Sequence, residues 1–395
     1  MMKVLWFAGN PSLYVSAGNT HGGMIGALQH ELAKTKAINL AVAFPWSCDF
    51  KDVRGSIAYY GIKDITHPIF RFLAKQKKQL QRLQNVIEDF RPDVIHVYGT
   101  EIGFGLVTSV THVPVVIHIQ GVLGAVYEAW MPPNMSWWDA IMRHPRMFLG
   151  YDALHRFIPR EREIFRHCKY FMGRTEWDQH ITMLLAPNAE YFHCDEMLRP
   201  EIYQASPWEH HGTPRLTIAS TISAVPYKGA DVVLRTAKLL KQTTNLDFEW
   251  NLYGVNNLES IECQVGIRAN EVHVSPKGAV DVNQLVAELQ AADIFVHPSY
   301  IENSSNAICE AQCIGMPIIA THVGGTTSLV EHEKTGIIIP ANDIYMLASQ
   351  IMRLANDANK CVSLGKTARR AAKERHNPQK IVSDLLNVYK SIING

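Results

Sequence analysis

Residues 292–311 read ADIFVHPSYIENSSNAICEA and contain the features that decide the fold. The apolar run before the His-Pro pair predicts a buried β-strand, and the polar loop after it carries a first glutamate, Glu302. A helix is predicted to begin near Ser305 or Asn306, and it carries a second glutamate, Glu310. This order of strand, polar loop and helix start is typical of a βαβ unit, in which the first amides of the helix favour an anion.

Short β-rich runs alternate with helical patterns on both sides of this stretch, which predicts parallel sheets. The predicted strands are residues 3–8, 38–44, 93–97, 113–119 and 169–173, then 215–220, 248–253, 271–274, 293–297, 317–320 and 336–339. Between the two sets lies SPWEHHGTP, a Pro- and Gly-rich segment that breaks the pattern. We therefore predict an α/β fold with two Rossmann-like domains, 1–200 and 205–375, facing an interdomain cleft. A C-terminal helix within 376–395 is expected to pack back on the first domain.

The composition is typical of a globular protein of enzyme size, with 395 residues of which 47% are hydrophobic and 19% charged. The 38 Lys and Arg residues nearly balance the 37 Asp and Glu residues, which argues against nucleic acid as the main partner. The first residues show no signal-peptide pattern, and seven cysteines without a Cys-x-x-Cys motif are typical of a reducing compartment. We therefore expect a cytoplasmic protein.

The segment around the two glutamates resembles a known family. The glutamates are spaced Glu-x7-Glu, and the chain continues with EAQCIGMPIIAT at 310–321, a Val-Gly-Gly turn at 323–325 and TGIIIP at 335–340. This segment resembles the donor-binding half of retaining glycosyltransferases with the GT-B fold, the family-4 and glycogen-synthase-like group. It is similar to bacterial surface-polysaccharide glycosyltransferases, and the resemblance covers about residues 215–343.

The resemblance implies a retaining glycosyltransferase of the hexosyltransferase type. Its donor would be a nucleoside-diphosphate sugar, with UDP or GDP as the nucleotide, and its acceptor a hydroxyl of a glycan or a lipid-linked molecule. The expected role is bacterial polysaccharide or glycolipid synthesis. The family works without a metal or other cofactor, and the chain contains no Asp-x-Asp motif.

By the same resemblance, the catalytic candidates are Glu302 beside the transferred sugar, His118 at a strand end near the donor sugar, and Lys228 on the diphosphate. Glu310 is implied to bind the nucleotide ribose. A departing diphosphate gains negative charge, which a cation and the amides of a helix start stabilise. The other donor-binding candidates lie just after strands or at helix starts: Gly22, Gly23, Ser304, Ser305, Asn306, Tyr253, Gly254, Lys277 and Gly278.

One feature of the family is missing from this chain. Most relatives carry an arginine about five positions before the lysine of the Lys-Gly pair, where this chain has Ser223. Arg174 and Arg215 are candidates to replace it, and no motif decides between them.

Two segments combine cations with aromatic residues, which suits an anionic membrane surface or an anionic acceptor. The first is RFLAKQKK at 71–78 on a long predicted helix. The second, residues 127–168, contains Trp130, Trp137 and Trp138 and several arginines. A solvated helix face with buried tryptophans explains the same residues equally well.

Two other functions stay open on the sequence. A GT-B sugar-nucleotide epimerase shares the fold but normally lacks the Glu-x7-Glu pattern, and it would turn over donor without an acceptor. A non-catalytic module that binds a sugar nucleotide or a glycan is mildly favoured by the missing arginine. The intact glutamates and Lys228 argue against that module.

Overall fold

The contacts within the chain divide it into two compact units. The computed structural model describes residues 1–15, 23–63, 72–133, 135, 138, 141, 145–212, 214–223 and 225–395, without the side chains of 72–76, 145 and 146. The first unit comprises Met1–Leu123, Arg156–Met197 and Asn377–Gly395, and the second comprises Gly124–His155 and Leu198–His376. This grouping differs from the predicted domain boundaries at residues 124–155, which group with the second unit.

The elements follow the predicted alternation of strands and helices. The strands are β1 (Met2–Phe7), β2 (Ile38–Trp46), β3 (Phe50–Arg54), β4 (Ile57–Lys63), β5 (Val94–Tyr98), β6 (Val115–His118), β7 (Tyr170–Gly173), β8 (Glu190–His193), β9 (Leu216–Thr221), β10 (Phe248–Tyr253), β11 (Val274–Gly278), β12 (Ile294–His297), β13 (Ile318–Thr321) and β14 (Ile337–Ile339). The helices are α1 (Gly23–Thr35), α2 (Phe72–Phe90), α3 (Leu123–Glu128), α4 (Pro145–His167), α5 (Glu176–Leu185), α6 (Pro200–Gln204), α7 (Ala230–Thr243), α8 (Glu259–Val265), α9 (Val282–Ala291), α10 (Asn306–Ile314), α11 (Thr326–Leu329), α12 (Ile344–Ala355), α13 (Ala358–Arg375) and α14 (Pro378–Asn394). Among the described residues, no helix is long and apolar enough to span a membrane.

The first unit is built on an eight-stranded sheet in the order β3-β4-β2-β1-β5-β6-β7-β8. Its strands pair in parallel except for β3, which pairs with β4 in the antiparallel sense. The apolar run Val4–Phe7 of β1 is completely buried at the middle of this sheet. Such a run without polar alternation is typical of a parallel strand that is covered on both faces.

The hairpin of β3 and β4 was not predicted from the sequence. Its two strands are joined by Gly55 and Ser56, and Gly55 has φ +61°. A two-residue turn with a glycine in the left-handed region is a recognised hairpin signal, so the sequence did contain the information.

The second unit is built on a parallel six-stranded sheet in the order β11-β10-β9-β12-β13-β14. Counted within this unit, the order is 3-2-1-4-5-6, which is that of a dinucleotide-binding Rossmann fold. The expectation of an α/β fold with two Rossmann-like parallel sheets is therefore confirmed.

One predicted strand was misplaced. The sequence pattern predicted residues 271–274, but a 3₁₀ turn covers Asn270–Val272 and the strand begins at Val274. His273 adopts φ +60°, a left-handed conformation that ends the turn and cannot belong to a strand.

The last helix, α14, belongs to the first unit. Its Tyr389 is completely buried, and the Tyr389 hydroxyl accepts a hydrogen bond of 2.9 Å from the Trp6 indole. The same hydroxyl lies 2.6 Å from Nδ1 of His96. Burial lowers the pKa of His96 to about 3, so the imidazole is neutral and Nδ1 can accept from the tyrosine. The two bonds tie α14 to β1 and β5.

We expect Tyr389→Phe to lower the free energy of unfolding by about 1–3 kcal/mol, because it leaves buried polar groups of Trp6 and His96 unpaired. Urea denaturation followed by circular dichroism measures the change. Tyr345→Phe is the matched control, since Tyr345 is 72% exposed and its substitution should leave the stability unchanged. Equal stability of Tyr389→Phe and the wild type would contradict the proposed role of the hydroxyl.

Candidate functional site

The loops that follow β9 and β12 carry the central residues of the candidate site. These strands are neighbours in the second sheet, and the strand order reverses between them. A reversal of this kind leaves a crevice at the carboxyl ends of the strands, where doubly wound sheets bind ligands. Lys228 follows β9 and Glu302 follows β12, so the topology brings these two predicted residues to one edge.

The Lys228-Gly229 pair forms a tight turn against the loop after β12. Gly229 has φ +77°, and a Cβ there would lie 2.1 Å from the carbonyl oxygen of Pro298. Only glycine fits this approach. The backbone N–H of Tyr300 also donates to the carbonyl of Tyr227 at 2.8 Å. The turn therefore holds Lys228 beside the polar loop.

The carboxylate of Glu302 is buried and accepts several hydrogen bonds. Its Oε1 atom accepts hydrogen bonds from Nζ of Lys228, from Nε2 of His297 at 2.9 Å and from the hydroxyl of Ser299 at 3.0 Å. Burial raises the pKa of Glu302, but the bond from His297 and the charge of Lys228 outweigh burial and hold the pKa at about 2. Glu302 is therefore ionised at neutral pH.

His297 links this carboxylate to the start of helix α10. It is buried, and its Nε2 atom lies 3.1 Å from the hydroxyls of both Ser299 and Ser305. An ionised carboxylate can only accept, so Nε2 carries the proton that bonds to Glu302. Ser305 is the N-cap of α10 and accepts from the N–H of Ile308 at 3.4 Å. His297 and Ser299 were not predicted as site residues, although polar residues that end an apolar strand are a usable signal.

The Gly-Gly turn after β13 fixes the backbone of Glu302. Gly324 has φ +47°, and a Cβ there would lie 1.8 Å from the carbonyl oxygen of Glu302. The same oxygen accepts a 3.0 Å bond from the N–H of Gly325. The glycine pair therefore provides the close approach that places the Glu302 carboxylate.

The other residues predicted around the start of α10 lie beside Glu302. Ser305 caps the helix, Ser304 is half-buried in the loop before it, and Asn306 is exposed in its first turn. The first turn of a helix carries partial positive charge. This segment can therefore receive an anionic group.

Glu310, the second glutamate, lies one turn inside α10 and has a different partner. Its Oε1 atom accepts hydrogen bonds from Nη2 of Arg199 at 2.7 Å and from Nε of Arg199 at 3.2 Å. Burial raises the pKa of Glu310, and the charge of Arg199 opposes that shift. Arg199 was not predicted, because the two residues are 111 positions apart and no motif joins them.

The two predicted nucleotide loops lie together at the ends of β10 and β11. The N–H of Gly254 donates to the carbonyl of Gly278 at 2.7 Å, and both glycines have positive φ, +93° and +72°. The hydroxyl of Tyr253 donates to Glu288 at 2.8 Å, and Lys277 is exposed. The loops therefore present backbone atoms rather than free side chains, apart from Lys277.

The remaining candidates belong to the first unit. His118 ends β6 and is buried, and neither of its ring nitrogens has a hydrogen-bond partner among the described residues. Burial, reinforced by the charge of Arg174, holds the pKa of His118 well below its usual range. Gly23 begins α1 with φ +50°. Gly22 lies outside the described residues.

Neither arginine considered as a substitute for the missing diphosphate cation has a free guanidinium. Arg174 is buried in an ion pair with Glu196 in the first unit. Arg215, in the second unit, lies on the surface within 3.4 Å of Asp247 and 3.3 Å of Glu249. The contacts therefore favour neither as a replacement.

The acidic residues of the site are paired with cations rather than grouped together. Among the residues that the structure describes, no three His, Cys, Asp or Glu side chains are arranged to hold a metal ion.

The second half of the chain is similar to a known family of proteins. Residues 209–371 match the family model described as glycosyl transferases group 1. The amylovoran biosynthesis glycosyltransferase AmsK of Erwinia amylovora is 25% identical over 223 residues, which cover 53% of this chain and 54% of AmsK. The chain matches between 36% and 61% of the length of the first three curated relatives.

Solved structures resemble the whole chain at low identity, and they show the fold. Sucrose-phosphate synthase from Thermosynechococcus elongatus aligns over 100% of both chains with a TM-score of 0.76 and 15% identity. HepE from Anabaena, solved in complex with UDP and glucose, aligns over 99% of this chain and 100% of its own with a TM-score of 0.65 and 16% identity. The chain therefore has the GT-B fold, and its residues 209–371 resemble the glycosyl transferases group 1 family.

Proposed function

We propose that the protein is a retaining glycosyltransferase of bacterial polysaccharide or glycolipid synthesis. It transfers a sugar from a nucleoside diphosphate to a hydroxyl of a glycan or lipid-linked acceptor. The observation that carries the proposal is the contact between Lys228 and Glu302 at the strand-order reversal of a group 1 domain. Lys228 and Glu302 carry opposite charges, and glycine turns hold both in place. Such a pair suits a reaction in which negative charge develops on a leaving diphosphate while positive charge develops on the sugar.

The donor's bond breaks between the anomeric carbon and the diphosphate, and negative charge develops on the leaving oxygen. Lys228 and the first amides of α10 stabilise this charge, because preorganised donors act strongly where charge appears in the transition state. Positive charge develops on the sugar at the same time, and the ionised Glu302 stabilises it. No metal is required for either task in this scheme.

The acceptor attacks from the face that the diphosphate leaves, so the anomeric configuration is retained. The leaving phosphate oxygen takes the acceptor's proton, and no protein base is needed for that transfer. By the family resemblance, the neutral His118 is assigned to a hydroxyl of the donor sugar, and the Gly22-Gly23 pair is assigned to the donor phosphate or the acceptor. Glu310 accepts from the ribose hydroxyls.

The comparisons support a choice of first donor and acceptor. HepE was solved with UDP and glucose, which makes UDP-glucose the first donor to test. Sugars linked to GDP, the other nucleotide that the resemblance implies, are tested second. AmsK is named as a glycosyltransferase of amylovoran biosynthesis, which supports a glycan acceptor. The loops at Tyr253 and Lys277 would hold the base through backbone contacts.

A peripheral position on the inner face of the membrane is part of the proposal. Helix α2 carries Lys75, Lys77 and Lys78 of the 71–78 segment, and Lys77 and Lys78 are exposed on it. The side chain of Lys75 lies outside the described residues. A lipid-linked acceptor would be reached from such a surface.

We expect the two glutamates to respond differently to substitution. Glu310→Gln should weaken UDP binding by about tenfold or more, because charge-assisted bonds to the ribose are worth about 1.5–3 kcal/mol. Glu302→Gln should lower kcat by about a hundredfold and barely change UDP affinity, because its charge acts on the sugar in the transition state. Calorimetric titration with UDP and initial rates of UDP release from UDP-glucose measure the two effects.

The matched control for these variants is Glu333→Gln. Glu333 is also paired with cations, Arg353 and Lys360, but it lies in the turn before β14 and should affect neither quantity. Full kcat in Glu302→Gln, or unchanged UDP affinity in Glu310→Gln, would overturn the assignment. Turnover of donor into a second sugar nucleotide without acceptor would indicate an epimerase instead.

Transferase activity should survive saturating EDTA, because Lys228 and the helix amides provide the electrostatic role of a metal. Initial rates are compared with EDTA alone and with EDTA followed by excess Mg²⁺ or Mn²⁺. Complete loss of activity with EDTA and its return with either metal would disprove a metal-independent reaction.

Binding to vesicles of anionic lipid should depend on salt and on Lys77 and Lys78. Each surface cation contributes about 1 kcal/mol near such a membrane, so replacing both with Gln should weaken binding by about thirtyfold in flotation assays at low salt. The matched control replaces two exposed lysines of the second unit, Lys238 and Lys366, and should bind like the wild type. Equal binding to anionic and neutral vesicles would show that the helix face is merely solvated.

A further inference from the structure

The contact between Arg199 and Glu310 is a close ion pair of the site to which the proposed reaction assigns no role. Both residues belong to the second unit, and Glu310 is 6% exposed. The side chain of Arg199 is 24% exposed, so the cation that pairs with this buried carboxylate is itself partly accessible to solvent. Arg199 is always positively charged, and its pairing with the buried Glu310 carboxylate suggests a role at the predicted nucleotide site.

The backbone near Arg199 is held in place by bonds that do not involve its side chain. Arg199 is the residue before helix α6, and the segment that follows is tied to α10 and α13. The N–H of Trp208 donates to the carbonyl of Ile314 at 2.9 Å, and Nη2 of Arg369 donates to the carbonyl of Ala205 at 2.6 Å. A change of the Arg199 side chain therefore leaves the position of this segment intact.

We propose that Arg199 is a positioning residue for the nucleotide ribose, holding the Glu310 carboxylate charged and oriented so that it accepts from both ribose hydroxyls. The inference rests on the proposed function, since it requires Glu310 to bind a nucleotide.

The geometry of the contact leaves room for the ribose. Both bonds from Arg199 end on Oε1, and no described residue bonds to Oε2. An ionised carboxylate offers about four acceptor positions on its two oxygens. After the two bonds to Arg199, positions remain for two hydroxyl groups.

A charged carboxylate is essential for this recognition. Both ribose hydroxyls would donate hydrogen bonds to Glu310. A protonated carboxyl carries an O–H on one oxygen, and that O–H is itself a donor. Burial favours the protonated form, and Arg199 is the cation that opposes it. Without Arg199, Glu310 would distinguish a ribose from a deoxyribose poorly.

The experiment measures the ratio of Kd values for 2′-deoxy-UDP and UDP by calorimetry on the full chain. The wild type should prefer UDP by about tenfold or more, because the site loses a charge-assisted bond to the 2′-hydroxyl. Arg199→Gln should reduce this ratio to about threefold or less. Arg199→Lys, which keeps the charge but not the two-bond geometry, should give an intermediate ratio.

The matched control is Arg375→Gln. Arg375 also bonds to α10, at the side chain of Gln312 at 2.9 Å, but it does not contact Glu310. This variant should keep the wild-type ratio. Thermal unfolding of each variant shows whether it is folded, and the Lys variant tests the proposal if the Gln variant is not.

The outcomes separate the inference from the proposed function. If the wild type binds none of UDP, GDP and ADP, the proposed function fails and the inference fails with it. If the wild type binds UDP and prefers it to 2′-deoxy-UDP, but Arg199→Gln shows the same preference, only the inference is overturned. If GDP binds in place of UDP, the same ratio is measured with 2′-deoxy-GDP.

Discussion

The buried negative charge of Glu302 is the constraint on which the candidate site depends. A carboxylate removed from water costs several kcal/mol unless opposite charge and hydrogen bonds compensate for it. Lys228 and His297 supply that compensation, and each reaches Glu302 only because the backbone allows a close approach. Gly229 lets the Lys228 turn contact the loop after β12, and Gly324 lets the next turn contact Glu302 itself.

This arrangement has a consequence for binding. Lys228 is already paired, so an incoming diphosphate must share its charge with Glu302 rather than meet a free cation. The same holds for Glu310, whose charge is balanced by Arg199. The charge of each glutamate is thus already balanced by a cation. A donor would bind by forming additional hydrogen bonds to these two ion pairs. Such a site gains specificity from geometry, because hydrogen bonds to charged groups depend strongly on direction.

Particular elements show how far the sequence could be interpreted. Strands β1 and β12 could be predicted from their uninterrupted apolar runs, because a parallel strand that is covered on both faces does not alternate with polar residues. The hairpin of β3 and β4 was not predicted, although Gly55 in its two-residue turn is a recognised hairpin signal. The start of β11 could not be located by pattern, because the left-handed backbone of His273 depends on the turn before it. The C-terminal helix was expected to pack on the first domain, but the bonds of its Tyr389 to Trp6 and His96 could not be predicted, because they join residues far apart in the chain.

The sequence by itself determined the fold class, the spacing of the two glutamates and the Lys-Gly and Gly-Gly turns. These are local features, and periodicity, glycine placement and a family resemblance are sufficient to find them. Only the tertiary structure decided which charge pairs with which. Arg199 meets Glu310 across 111 residues, and His297 joins Glu302 to the cap of α10 through one ring nitrogen. The packing of strands and helices decides which distant residues become partners in an ion pair or a hydrogen bond. The charge of one side chain therefore does not reveal which distant residue pairs with it.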